Sequence, residues 1–276
     1  MSGGQQEAAT GRRGGGSPAA RTPPLPVVDR EVLERARAHL RAVAVAKGPA
    51  ARLVAGASPA GLRSVVTGLR QLPVVEAHLS EQPAGLELRS WFANGRRALP
   101  VDRLAVAVLP LPPEHTAYLA GRQRQALRTN VRRSEQAGVV CADVFDAAER
   151  HRCVEHVVST RGDGDPQGVL GRETRPGLHR WVSVAYDATG DPVAFHEAVV
   201  DVSWAGVGAF LTARTGGATH DARYQLHVHA VRRLISAGIG HLVVSGFSLL
   251  APPGIRYFQE RTGFQPVRLR LRGPEH

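Results

Sequence analysis

Lysine is almost missing from this chain. Of its 35 basic residues Lys47 is the only lysine and the other 34 are arginine, a bias that a GC-rich genome produces on its own. Choosing arginine over lysine therefore says little about function. Cysteine is scarce too: Cys141 and Cys153 are too few for a disulfide framework and have no partners at metal-ligand spacing. Nowhere do about 18 apolar residues run together, which excludes a bilayer-spanning helix, and the N-terminal arginines have no apolar segment behind them as a standard secretion signal would. A reducing cytoplasm is the expected setting. There is no HExxH, no Walker loop, no GxSxG and no GxGxxG after a strand. No metal is expected despite 12 histidines, because His227 and His229 diverge by about 200° on a helix and His151 and His156 are five apart. Aromatics make up only 5% of 276 residues, whereas 43% are hydrophobic, enough for an aliphatic core.

What the chain does have is positive charge, 35 basic against 24 acidic residues for a net +11. Such a balance favours polyanionic partners, and its placement is uneven. Residues 1–30 carry +2 and 31–117 carry +4, but 118–138 carry +4 within 21 residues. Residues 139–211 then swing to 5 negative, before 212–241 and 251–276 return to +3 each.

The composition divides the chain into three parts. Residues 1–28 are rich in Gly, Pro and Arg without apolar periodicity, and are expected to be a disordered tail. Residues 29–115 read as an N-terminal α/β unit, with a helix from Asp29 carrying Val32, Leu33, Ala36, Leu40 and Val43, and a second from Ser58 to Leu69. A strand over Gly85–Phe92, the turn Asn94-Gly95 and a strand over Leu104–Leu109 complete it. Residues 116–276 begin with a helix over Tyr118–Ala137. From 139 the expected order is strand, helix, three strands, helix, strand, helix, strand, with a turn-rich connection over 161–177. The RGD triplet at its start, residues 161–163, is read as turn chemistry.

That order implies a mixed, mostly antiparallel sheet with helices on both faces. It resembles the acyltransferase core of the GNAT superfamily, an α/β (α+β) fold, over roughly half the chain. The segment LAGRQRQALRTNVRRSEQAGVV (119–140) is similar to the one that opens the second acyltransferase-like domain of the Fem family, with Arg122, Arg124, Arg128, Arg132, Arg133, Gly138 and Val139 at matching places. The late helix ARYQLHVHAVRRLISAG and Ile255-Arg256-Tyr257-Phe258-Gln259, followed by Gly263-Phe264, resemble the same family. Gln259 departs from it, standing where the Fem pattern has lysine and many GNAT enzymes have tyrosine. Arg214 to Thr219 stands at the place of the GNAT pyrophosphate loop, with Thr where Gly or Ala is expected and His220 and Asp221 inserted before the helix, and reads equally as a plain Gly-rich turn.

The resemblance implies an N-acyltransferase that forms an amide bond by moving an aminoacyl group from aminoacyl-tRNA to the amine of a small-molecule or peptide-like acceptor, as relatives in peptide antibiotic pathways do. No resident cofactor is implied, since aminoacyl-tRNA is a co-substrate. The alternatives are an acetyl-CoA-dependent GNAT N-acetyltransferase, in which Arg214 would hold pyrophosphate, and a non-catalytic RNA-binding module of the same fold.

Candidate residues follow from the chemistry of aminolysis, which needs a free amine, a polarised carbonyl and a proton for the leaving group. His196 and Glu197 sit mid-strand on opposite faces, so at most one looks into a given cleft; either could be a base, or an exposed strand charge. Tyr257 and Arg256 flank the position of Gln259 and are candidates for leaving-group contact. Arg223 and Tyr224 open the late helix, where a phosphate or carboxylate could meet them, with core packing an equal reading for Tyr224. Arg124, Arg128 and Arg132 form an i, i+4, i+8 row with Arg122 and Arg133 on a neighbouring strip, a phosphate-binding surface or a solvated face.

Overall fold

The computed structural model describes residues 26, 28–93, 105–162, 166–170, 178–214, 220–244, 246 and 248–272. The tail at 1–25, the Asn94-Gly95 turn, most of the 163–177 connection and the 215–219 part of the loop after Arg214 lie outside them.

Asp29 caps α1 (Arg30–Val45), its side chain accepting from the backbone N–H of Glu31 at 2.9 Å, and Leu33 and Ala36 face inward. Gly48, at φ +89°, turns the chain into α2 (Pro49–Gly56), a helix that the sequence reading missed and that buries no residue. Ser58 caps α3 (Pro59–Gln71), which packs Val65, Gly68 and Leu69 against α1. The strand β1 (Val74–His78) follows.

The expected strand over 85–92 is instead α4 (Pro83–Ala93). Its buried residues, Gly85, Leu88 and Phe92, recur at helical spacing, and Pro83 pre-sets the first turn. GLELRSWF fits both periods, and packing of Leu88 and Phe92 on the sheet decides for the helix. β2 (Val106–Pro110) pairs with later strands, not with this segment.

The helix expected over 118–137 is interrupted: α5 (His115–Leu119) stops at Ala120, Gly121 adopts φ +84°, and a 3-10 turn (Arg122–Arg124) leads into α6 (Gln125–Gln136). Then come β3 (Val140–Val144), α7 (Ala147–Arg161) and the short α8 (Pro166–Leu170). β4 (Arg180–Tyr186), β5 (Pro192–Asp201) and β6 (Trp204–Thr212) form an antiparallel meander. α9 (Ala222–Ser236), β7 (His241–Val244), α10 (Pro253–Thr262) and β8 (Gln265–Arg272) complete the chain.

The eight strands make one sheet in the order β1-β8-β2-β7-β6-β5-β4-β3, parallel only at β1/β8 and β6/β7. β1 and β2, which precede residue 116, are part of this sheet, and β2 lies between β7 and β8. Strand alternation sorts the core by face. Ala107, Leu109, Ala205 and Leu242 pack under α5, α6 and α9, while Val106, Val108, Val199 and Val243 pack under α4. Val182, Val184 and Phe195 meet α7 on the α4 side. The result is the mixed, mostly antiparallel GNAT-like sheet with helices on both faces.

Candidate active site

β6 and β7 are paired only from Trp204/His241 to Val207/Val244. Among the described residues β7 reaches no further than Val244 while β6 runs on to Thr212, which leaves a gap beside that end of β6. A cavity of about 510 Å³ occupies the gap, lined by β6 from Val207 to Thr212 and by Gly254, Ile255, Phe258 and Gln259 of α10. A bulge shifts the β5/β6 register here: Glu197 pairs with Ala209 but Ala198 with Val207, leaving Gly208 as the extra residue. A side chain at 208 would meet Trp91 at 2.9 Å and the Glu197 carboxylate at 3.2 Å, so the close approach of α4 requires glycine.

Two histidines stand in the cavity wall, His196 from β5 and His227 from α9. Both are buried. Desolvation lowers the pKa of His196 to about 4, helped by the positive potential of His229 and Arg233, and that of His227 to about 3. Each is therefore neutral at pH 7. His196 packs edge-on to Phe210, and its buried Nε2 has no hydrogen-bond partner among the described residues. His227 Nε2 lies 3.0 Å from the Tyr118 hydroxyl, which donates to the Thr262 carbonyl at 2.9 Å. With that single hydroxyl proton committed, His227 donates from Nε2, and its Nδ1 carries the lone pair. Sequence reasoning missed His227 and Tyr118 as site residues. The one signal was a histidine in the apolar stripe of α9, considered only as a metal ligand.

Glu197 points to the opposite face, as alternation requires, and is not the exposed strand charge that was the alternative reading. It is 1% exposed. One oxygen accepts from Arg150 Nε at 2.9 Å, the other from Arg180 at 2.7 Å. The Arg180 guanidinium lies 5.7 Å from the Trp91 ring centre and 3.9 Å from Glu87, which accepts from the Trp91 indole at 2.8 Å. With both oxygens engaged, Glu197 braces β5 and the bulge against α4 and α7.

The five arginines of the 122–133 segment do not act as one surface. Arg124 donates to the Arg261 carbonyl at 3.3 Å and lies over the Tyr118 ring, while Arg128 donates to the carbonyls of Leu119 and Gly121 at 2.5 and 2.9 Å. These two close the helix break that the sequence reading did not foresee. Arg122, Arg132 and Arg133 are exposed. Arg122 and Arg124 line a shallow recess whose wall includes Tyr118, so the Tyr118–His227 pair separates it from the cavity.

Among the other candidates, Arg223 lines the cavity with its guanidinium 4.9 Å from the Tyr224 ring centre and 5.8 Å from that of Phe258. Tyr224 itself is buried in the core against Phe258. Arg214 is exposed at the end of β6. Tyr257 is half exposed beneath Arg261, and Arg256 pairs with Glu34 of α1 at 3.6 Å and with Glu260 at 3.9 Å. Neither contributes to the cavity wall, which takes Ile255, Phe258 and Gln259 from α10. Among the described residues no group of three or more His, Cys, Asp or Glu is placed to hold a metal ion.

The chain resembles GNAT-fold, Fem-like acyltransferases. FemX aligns at 7% identity over 59% of this chain and 59% of its own, with a TM-score of 0.46. L-PGS from Bacillus licheniformis aligns at 12% identity over 59% of this chain and 60% of its own, with a TM-score of 0.42. A tandem GNAT protein from the clavulanic acid biosynthesis pathway aligns at 13% identity over 76% of this chain and 68% of its own, with a TM-score of 0.35. The chain spans about 60% of the length of FemX and of L-PGS. No family model and no curated protein matches the chain. Among the described residues no helix is long and apolar enough to cross a membrane.

Proposed function

We propose that this protein is an N-acyltransferase whose reaction takes place in the cavity between β6 and β7, with aminoacyl-tRNA as donor and a small or peptide-like amine as acceptor. The observation that carries the reading is the buried Nε2 of His196, unpartnered among the described residues in the wall of a cavity beside a bulged strand. A buried polar atom without a partner costs about 1–3 kcal/mol, which a bound substrate group would recover. Beyond Val207 no described residue of β7 pairs with β6, and a substrate ester or amide carbonyl can lie along that edge of β6 in the cavity.

In the proposed step the neutral amine attacks the ester carbonyl carbon; a C–N bond forms, the C–O bond to the ribose breaks, and the amine proton passes to the departing ribose oxygen. With pKa values near 4 and 3, His196 and His227 are poor proton stores and good orienting groups. They act by positioning the amine lone pair, and most of the rate comes from proximity and substrate-assisted proton transfer. Arg122, Arg132 and Arg133, together with the recess that backs onto Tyr118 and His227, support tRNA as the donor. Arg223 would meet an anionic group of either substrate at the cavity, and Glu197 keeps the bulge in shape. Arg214 is the contact to pyrophosphate if the donor is acetyl-CoA.

The test is amide formation from charged tRNA and a panel of amines, with and without nuclease. Product that disappears on nuclease treatment is expected. His196→Phe, which preserves packing against Phe210, should lower kcat by about 10²-fold or more. Charge reversal at Arg122, Arg132 and Arg133 should raise KM and flatten its salt dependence, with kcat retained. Unchanged product after nuclease treatment, or product formed from acetyl-CoA, would overturn tRNA as the donor. Tight RNA binding without any acyl transfer would make this a binding module.

A further inference from the structure

The first three helices carry a surface that the catalytic reading does not use. Between Glu34 and Glu76 the chain has no acidic residue and seven basic ones. Arg37 is buried against Glu34, but Lys47, Arg52, Arg63 and Arg70 are exposed. The same stretch exposes large aliphatic side chains: Val45, Leu53, Val54, Leu62 and Val66 are each between 45% and 77% accessible. Within these 22 residues lie five of the thirteen exposed large hydrophobic side chains among the described residues. α2 is an extreme case, since it buries none of its residues. On its helical wheel Ala50, Leu53, Val54 and Ala57 share one side. Isolated exposed aliphatics are ordinary, but an eight-residue helix without any buried side chain gains nothing from the core that would fix it there.

Charge and apolarity together select the partner. A nucleic acid would match the arginines, but Val45, Leu53 and Val54 would face its phosphates with nothing to bury them. A protein groove would match the aliphatics without needing an acid-free stretch of 41 residues. A lipid surface with anionic headgroups matches both, because aliphatic side chains enter the acyl boundary while Lys and Arg stay at headgroup level. We propose that the α1–α3 face, led by α2, docks peripherally on anionic membranes. The exposed arginines of 122–133 offer a contrast, because no large exposed aliphatic lies among them.

The experiment is co-sedimentation of the full chain with vesicles of phosphatidylcholine alone, or of phosphatidylcholine with 30% phosphatidylglycerol, at two salt concentrations. Binding is expected only to the anionic vesicles and should weaken with salt. Leu53→Ser with Val54→Ser should reduce it by about tenfold or more. Arg52→Glu or Arg63→Glu should reduce it by about fivefold or more each. These side chains are exposed, so each variant should keep its Tm, and amide formation from soluble substrates should be unaffected. Equal binding to both vesicle types, no binding to either, or binding indifferent to these variants would overturn the proposal. So would a self-associated chain that dissociates on Leu53→Ser with Val54→Ser but never sediments with lipid.

Discussion

Removing the Glu197 carboxylate should be among the most damaging single changes to the fold. Glu197 is buried, and it faces Arg150 and Arg180, whose side chains are 19% and 4% exposed. In Glu197→Ala the two guanidiniums face the space of one lost carboxylate, at a depth where water compensates poorly. Breaking a buried pair in this way costs about 3–5 kcal/mol. At about 2–4 °C per kcal/mol for a chain near this length, Tm should drop by about 6–20 °C. Urea denaturation should show a lower midpoint at an unchanged slope, which places the effect in stability and not in compactness. Glu197→Gln keeps the shape and some hydrogen bonding, so it should lie between wild type and Ala. The triple change Arg150→Met, Arg180→Met, Glu197→Leu replaces charge with volume and should regain much of the loss. A loss below about 1 kcal/mol in Glu197→Ala would show that the network does not hold β5 against α4 and α7.

Stability should fall as pH drops below neutral. The unfolded chain binds protons at His196 and His227 from about pH 6.5, while burial excludes them from the fold until about 4 and 3, so each group adds a slope of about 1.4 kcal/mol per pH unit across that window. Denaturation at pH 7.5, 6 and 5 measures it, and His196→Phe should flatten the slope; a constant free energy from pH 7.5 to 5 would refute the neutral buried imidazoles. Val202 has φ +50° in the exposed turn between Asp201 and Trp204, a conformation costly for a β-branched residue. Val202→Gly should therefore stabilise the protein by about 0.5–1 kcal/mol, and a lower midpoint would contradict the strain.

Much of the C-terminal fold is legible in the chain. β4, β5 and β6 are runs rich in apolar residues bounded by turn residues, and α7 and α9 stop just before Gly162 and Gly238 after regular apolar spacing. The first third is less readable. GLELRSWF satisfies period two and period 3.6 at once, so local pattern leaves it undecided until β6 presents Gly206 and Gly208 to α4. α2 carries no core signal because it buries none of its residues. β1 is five residues long and takes its place only by pairing with β8, nearly 200 residues away.

The candidate site divides in the same way. Sequence alone determined that His196 and Glu197 face opposite sides of one strand, since consecutive strand residues alternate, and that the basic residues cluster between 122 and 133. It also determined the order of elements from residue 139 onward apart from the short α8, because periodicity and turn residues act locally. Only the tertiary structure decided which of the pair meets the cavity, that Glu197 is enclosed by arginines from β4 and α7, and that Tyr118 reaches across to His227. It also decided that Arg124 and Arg128 are spent on backbone carbonyls at the break before α6. These contacts join residues up to 137 positions apart, as between Arg124 and Arg261. Their strength depends on burial, and burial belongs to the packed sheet and helices and not to any local stretch of chain.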